Sequence, residues 1–113
     1  MFRGNLIFAT PNQFQFKSTS RKDDLLSLCY MLVYLFHGGD VDFVVRDQNM
    51  TNVDIFHHVA AIKCKKTPES LVGDEGSVSR PLLPFVRDVM NMEYDSAPNY
   101  LNLRFLLISC LVK

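Results

Sequence analysis

A chain of 113 residues that is 48% hydrophobic, with 12 basic against 12 acidic side chains, is long enough for about one domain and too apolar to stay disordered. Its zero net charge supplies no basic field of the kind that holds nucleic acid, so no nucleic-acid partner is expected. Cys29, Cys64 and Cys110 are odd in number and far apart, which suits free thiols in a reducing compartment rather than a disulfide framework.

The opening MFRGNLIFATPN has one basic residue and too short an apolar run for a signal peptide, giving the expectation of an intracellular, cytoplasmic chain. On that reading the sequon Asn49-Met50-Thr51 is chance. The strongest local signal is Thr19 to Gly39, TSRKDDLLSLCYMLVYLFHGG. Ser20 followed by Asp23 is a capping-box start, and Asp23 and Asp24 suit the positive helix end, so a helix begins near Arg21. From Leu25 to Phe36 only Ser27 is plainly polar, whereas a surface helix would be striped; the pattern predicts a central helix buried from every side. Twelve residues rise only about 18 Å, short of the ~20 residues a bilayer span needs, so no membrane is expected either. Gly38-Gly39 closes the helix.

Residues 40–51, DVDFVVRDQNMT, lack periodicity and read as a loop with an apolar patch. Asn52 reads as the cap of the next helix, in which Ile55 or Phe56, Val59 and Ile62 share a face, and Lys63, Lys65 and Lys66 suit its C-terminal end. Thr67-Pro68-Glu69 opens a short helical turn to about Val72, and GDEGSVS is a loop. Leu82, Phe85, Val89 and Met92 predict a helix from about Arg80, regular from Pro84 onward. Pro98 opens a last helix whose apolar side carries Tyr100, Leu103, Leu106, Leu107 and Cys110. With no strand and no internal repeat, the fold class is mainly α and residues 1–113 form one unit.

Few side chains are placed for chemistry. His57 and His58 are adjacent, so on a helix their rings point about 100° apart and cannot share a metal. There is no CxxC pair and no glycine-rich phosphate loop. Asp23 and Asp24 diverge on the helix, with no His, Lys or Ser placed to complete a triad. No metal, cofactor or catalytic residue is expected in this chain.

Four stretches in order do carry a likeness. GNLIFATPN (Gly4 to Asn12), a spacer and SRKDDLLSLCYMLVYLFHGG resemble the part of casein kinase I-like protein kinases that closes the activation segment and opens the large central helix, with the pattern Gly-Thr-x-x-Tyr-Ala-Ser-x-Asn and then Ser-Arg-Arg-Asp-Asp-Leu-x-Ser-Leu. KCKKTPESL is similar to the family's Lys-Lys-x-x-Thr-Pro-x-x-Leu. FVRDVMNMEYDSAPNYLNLRFLL resembles its last two helices, Ala97-Pro98-Asn99-Tyr100 and Leu103-Arg104 standing where Pro-Asp-Tyr and Leu-Arg are usual. The likeness covers nearly the whole chain and implies the helical half of a kinase C-lobe, packed around one central apolar helix. It also implies roles. Asp24 matches the aspartate with which that helix holds the backbone of the catalytic loop, Ser20 and Asp23 remain helix caps, and Gly4, Asn5, Phe8, Ala9, Thr10 and Asn12 fall in the substrate-binding loop.

The same likeness implies what is missing. The glycine-rich loop, strand lysine and glutamate partner, catalytic-loop aspartate and asparagine, and Asp-Phe-Gly motif that phosphoryl transfer needs would all lie upstream of Met1. The implied function is therefore a fragment of a serine/threonine kinase, inactive alone, with Mg-ATP belonging only to a complete kinase. Its partners would be the missing N-lobe and catalytic loop, or another protein covering the central helix; the alternative is a noncatalytic, pseudokinase-like helical interaction module. Ile7 replaces an arginine that binds phosphate in many of these kinases, which speaks against prephosphorylated substrates. Val41-Asp42-Phe43 replaces the usual Leu-Pro-Trp, and Cys29 stands for a glycine.

Overall fold

The computed structural model describes residues 7–15, 17–45, 49–95 and 97–111. Among these residues six α-helices follow one another: α1 (Pro11–Phe14), α2 (Arg21–Phe36), α3 (Asn52–Cys64), α4 (Pro68–Val72), α5 (Leu83–Met90) and α6 (Tyr100–Leu111). A 3-10 turn over Arg80–Leu82 runs directly into α5, and no strand occurs among the described residues.

Local chemistry sets the helix ends. α1 lies where the sequence reads as loop and spacer, yet it opens on the same Thr-Pro pair as α4. Thr10 and Thr67 are the caps, a proline occupies the first turn, where its missing N–H is not needed, and the side chains of Gln13 and Ser70 accept from the two cap N–H groups. α2 begins as predicted, the Asp23 carboxylate accepting from the Ser20 N–H at 2.8 Å. It ends at Gly38 and Gly39, with φ of 61° and 87°, the Gly39 N–H reaching the Tyr34 carbonyl at 2.8 Å. At α3 the cap is Thr51, not Asn52: its extended backbone and hydroxyl, which accepts from the Asp54 N–H at 3.1 Å, make it the capping residue, and Asn52 is already helical. The Asn99 side chain accepts from the Asn102 N–H at 3.1 Å, so α6 starts at Tyr100, two residues after Pro98.

Packing gives the middle place to α5. It meets α2, α4, α6 and the 3-10 turn, burying Leu83, Phe85, Val86 and Val89. α2 buries one stripe, Leu26, Cys29, Tyr30 and Val33, at the spacing of a single helical face. Its other side holds the half-buried Leu25, Leu28 and Leu32 and Leu35, 60% exposed. The helix expected to be enclosed all round thus has a covered face and an open one, because α4 and α5 pack on one side of it only. From the loop after α2, Phe43 folds in to 1% exposure and meets the Tyr30 ring at 5.6 Å. The whole measures 41 × 34 × 19 Å, a slab about two helix diameters thick. Among the described residues no helix is long and apolar enough to cross a membrane.

Candidate functional site

Residues 7–14 lie against the start of α2 and the end of α3, and two buried ionisable side chains hold them there. The first is Asp23, only 6% exposed. Its carboxylate accepts from the Thr10 hydroxyl at 2.8 Å, the Ser20 N–H at 2.8 Å and the Asn12 side-chain amide at 3.4 Å. Hydrogen bonds to a charged acceptor are the stronger kind, so the cap of α2 doubles as the anchor of the preceding segment. Thr10, itself fully buried, thereby serves both α1 and α2.

The second is Lys63, 1% exposed, which the sequence groups with Lys65 and Lys66 at the C-terminal end of α3. Its amine donates to the Ile7 carbonyl at 2.6 Å and the Ala9 carbonyl at 2.7 Å. Around it stand the rings of Tyr30, Phe43 and Phe14, at 4.3, 5.3 and 5.4 Å from Nζ, a setting that attracts a cation. α3 turns this residue inward because Val59, one turn earlier, is buried on the same face. Lys65 stays exposed, and Lys66 pairs with Asp42.

Burial lowers the Lys63 amine from 10.5 to about 7. The unfolded chain therefore holds a proton there that the fold gives up, and stability from this group rises as pH climbs from about 7 to 10.5. Two N–H groups, which the neutral amine also carries, are enough for the two carbonyls. Cys29 acts in the opposite sense: burial pushes its thiol from 9.0 up to about 12, so above pH 9 the unfolded chain ionises where the fold does not and stability falls. Tyr30 is raised by burial as well. The melting temperature is expected to rise from pH 7 to about 9, level off where the Lys63 and Cys29 trends oppose each other, and decline above about 10.5, and Lys63→Met is expected to abolish the rise; melts across that range check it.

Of the residues singled out by sequence, Ala9, Thr10, Asn12 and Ser20 belong to these anchors, and Asp24 does not. Asp24 is exposed on the first turn of α2. Ala9 and Thr10 are buried, Asn12 half-buried, and Phe8 turns to Tyr34, the rings edge to face at 5.6 Å. Gly4 and Asn5 lie outside the described residues. His57 and His58 are exposed, and among the described residues no three His, Cys, Asp or Glu side chains lie together as metal ligands.

A third polar cluster, unmarked in the sequence reading, joins the end of α2 to the loop before α5. Ser79 donates its hydroxyl to the Val72 carbonyl at 2.6 Å, so at 2.8 Å the His37 Nε2 must donate to Ser79. With its proton on that nitrogen, His37 is no base for Ser79, and the cluster braces the loop. A cleft of about 620 Å3 lies between this loop and α6, lined by Glu75, Pro84, Leu106, Cys110 and Arg80. The Arg80 guanidinium is already committed to the Gly73 carbonyl, to which it donates at 3.0 Å.

Compared with known proteins, the chain matches no family model and no curated protein.

Proposed function

We propose that this chain is the C-terminal helical part of a casein kinase I-like serine/threonine kinase C-lobe, without catalytic activity of its own. The observation that carries the reading is the bond between Thr10 and Asp23. It joins the two stretches whose likeness to the family is most detailed, which supports reading the first as the end of an activation segment and α2 as the helix that follows it. One residue on, Asp24 points outward, leaving its carboxylate available for the backbone of a catalytic loop. In that role Asp24 positions the loop and does not react.

The residues present do not fit Mg-ATP. The sequence has no glycine-rich loop and no Asp-Phe-Gly, and no step of phosphoryl transfer is assigned to this chain. The alternative of a noncatalytic interaction module draws on the open face of α2. A chimaera distinguishes them: residues 1–113 replace the corresponding part of a casein kinase I-like enzyme. Phosphorylation of a casein-type peptide is expected, with Asp24→Asn lowering kcat about 10- to 100-fold by loosening the catalytic loop, while the isolated chain shows no Mg-ATP binding in calorimetry. A folded chimaera that binds Mg-ATP but transfers nothing would overturn the kinase reading, as would saturable nucleotide binding by the isolated chain.

A further inference from the structure

A buried lysine is a demanding way to hold a loop. The amine of Lys63, on the last turn of α3, is taken so far from water that it gives up hydration which its hydrogen bonds return only in part. What it supplies in exchange, and an apolar side chain would not, is N–H donors for the Ile7 and Ala9 carbonyls at 2.6 and 2.7 Å. Between those carbonyls the Phe8 ring stands edge to face on Tyr34 at 5.6 Å, and the hydroxyl of the next residue, Thr10, donates to Asp23 at 2.8 Å. Four consecutive residues, in a turn followed by irregular backbone, are thus each fixed by a side chain from α2 or α3.

A loop that only covers a core has no need of such fixing, whereas one that meets a ligand gains from being set in shape beforehand, since its ordering is then complete before binding. Burial decides which side is left for the ligand. Ala9 and Thr10 turn inward, while Ile7, Phe8, Pro11, Asn12 and Gln13 stay half-exposed. None of these five carries a charge, so the outward side suits an unphosphorylated stretch of peptide. Resting on the reading of these residues as the substrate-binding loop of a kinase, we propose that Lys63 is the residue that positions that loop for the peptide. It touches neither peptide nor nucleotide and acts through the Ile7 and Ala9 carbonyls, so peptide affinity depends on it and turnover does not.

The chimaera carrying residues 1–113 tests this with two variants. Lys63→Met keeps the volume and loses the donors; Val86→Ala, at a fully buried position on α5 outside the loop, controls for lost stability. Both are assayed below their melting temperatures on an unphosphorylated casein-type peptide. Lys63→Met is expected to raise the KM for peptide about tenfold and to leave kcat and the KM for ATP within about twofold, while Val86→Ala moves none of the three. Lys63→Leu, also without a donor, has the same expected outcome and takes the place of Lys63→Met should that variant not fold. A peptide KM that stays put without the lysine, rises as far in Val86→Ala, or rises together with the KM for ATP overturns the proposal. A chimaera that is inactive with Lys63 in place overturns the kinase reading and this role with it; one that is active and indifferent to Lys63 overturns this role alone.

Discussion

Lys63→Ala is expected to lower stability by about 3–5 kcal/mol, the largest loss of any single substitution outside the apolar core. Two effects combine. The side chain is buried to 1% exposure with its amine beside the Tyr30, Phe43 and Phe14 rings, and removing it leaves a cavity of the kind that costs about 2–5 kcal/mol for an aliphatic side chain of similar length. The carbonyls of Ile7 and Ala9 also lose their donor, at about 1–3 kcal/mol for a buried acceptor left unpaired. Relief from burying an ionisable group offsets part of this. Lys63→Met keeps the volume and loses only the donor, so about 1–2 kcal/mol is expected. The pair separates packing from hydrogen bonding. Thermal melts read the first, a fall of roughly 15–25 °C for alanine, and limited proteolysis around residues 7–10 reads the second, since both variants release the Ile7 and Ala9 carbonyls. An alanine variant melting within a few degrees of the parent would show that the rings close up on their own.

The two neighbouring acids of α2 should differ as sharply as their surroundings. Asp23→Ala removes a carboxylate that accepts from Thr10, Ser20 and Asn12, and a loss of about 2–4 kcal/mol is expected, or roughly 10–20 °C in melting temperature. Asp24→Asn, at an exposed position, should stay within about 0.5 kcal/mol in the isolated chain. Equal losses from both would mean that the acids exchange roles in solution.

What was legible in the sequence follows from how far apart the deciding atoms lie. Ser20 and Asp23 at one end of α2, Gly38-Gly39 at the other, and Thr67-Pro68 at α4 act within a turn, and those boundaries stand where the residues place them. α1 was readable by the same rule, since Thr10-Pro11 with Gln13 three residues after the threonine repeats the α4 pattern. Lys63 was not. Its partners are 54 and 56 residues away, and a lysine near a helix C-terminus has a good local reason to face water. The middle place of α5 was hidden likewise: eight residues say little about enclosure, whereas the uninterrupted apolar run of α2 drew attention to a helix that is covered on one side. As for the site, the sequence marked both acids of α2 but gave no means of telling which one faces inward.

The three thiols turn this arrangement into a set of built-in reporters. Cys64 is exposed, while Cys29 and Cys110 are buried, and the Cys29 thiol, pushed up to about 12, is almost never the reactive thiolate at neutral pH. A maleimide dye added to the native chain therefore finds one attachment point, adjacent to the lysine that staples residues 7–9. Modification of Cys29 has to wait for an opening of the interior, so its rate counts how often the slab comes apart.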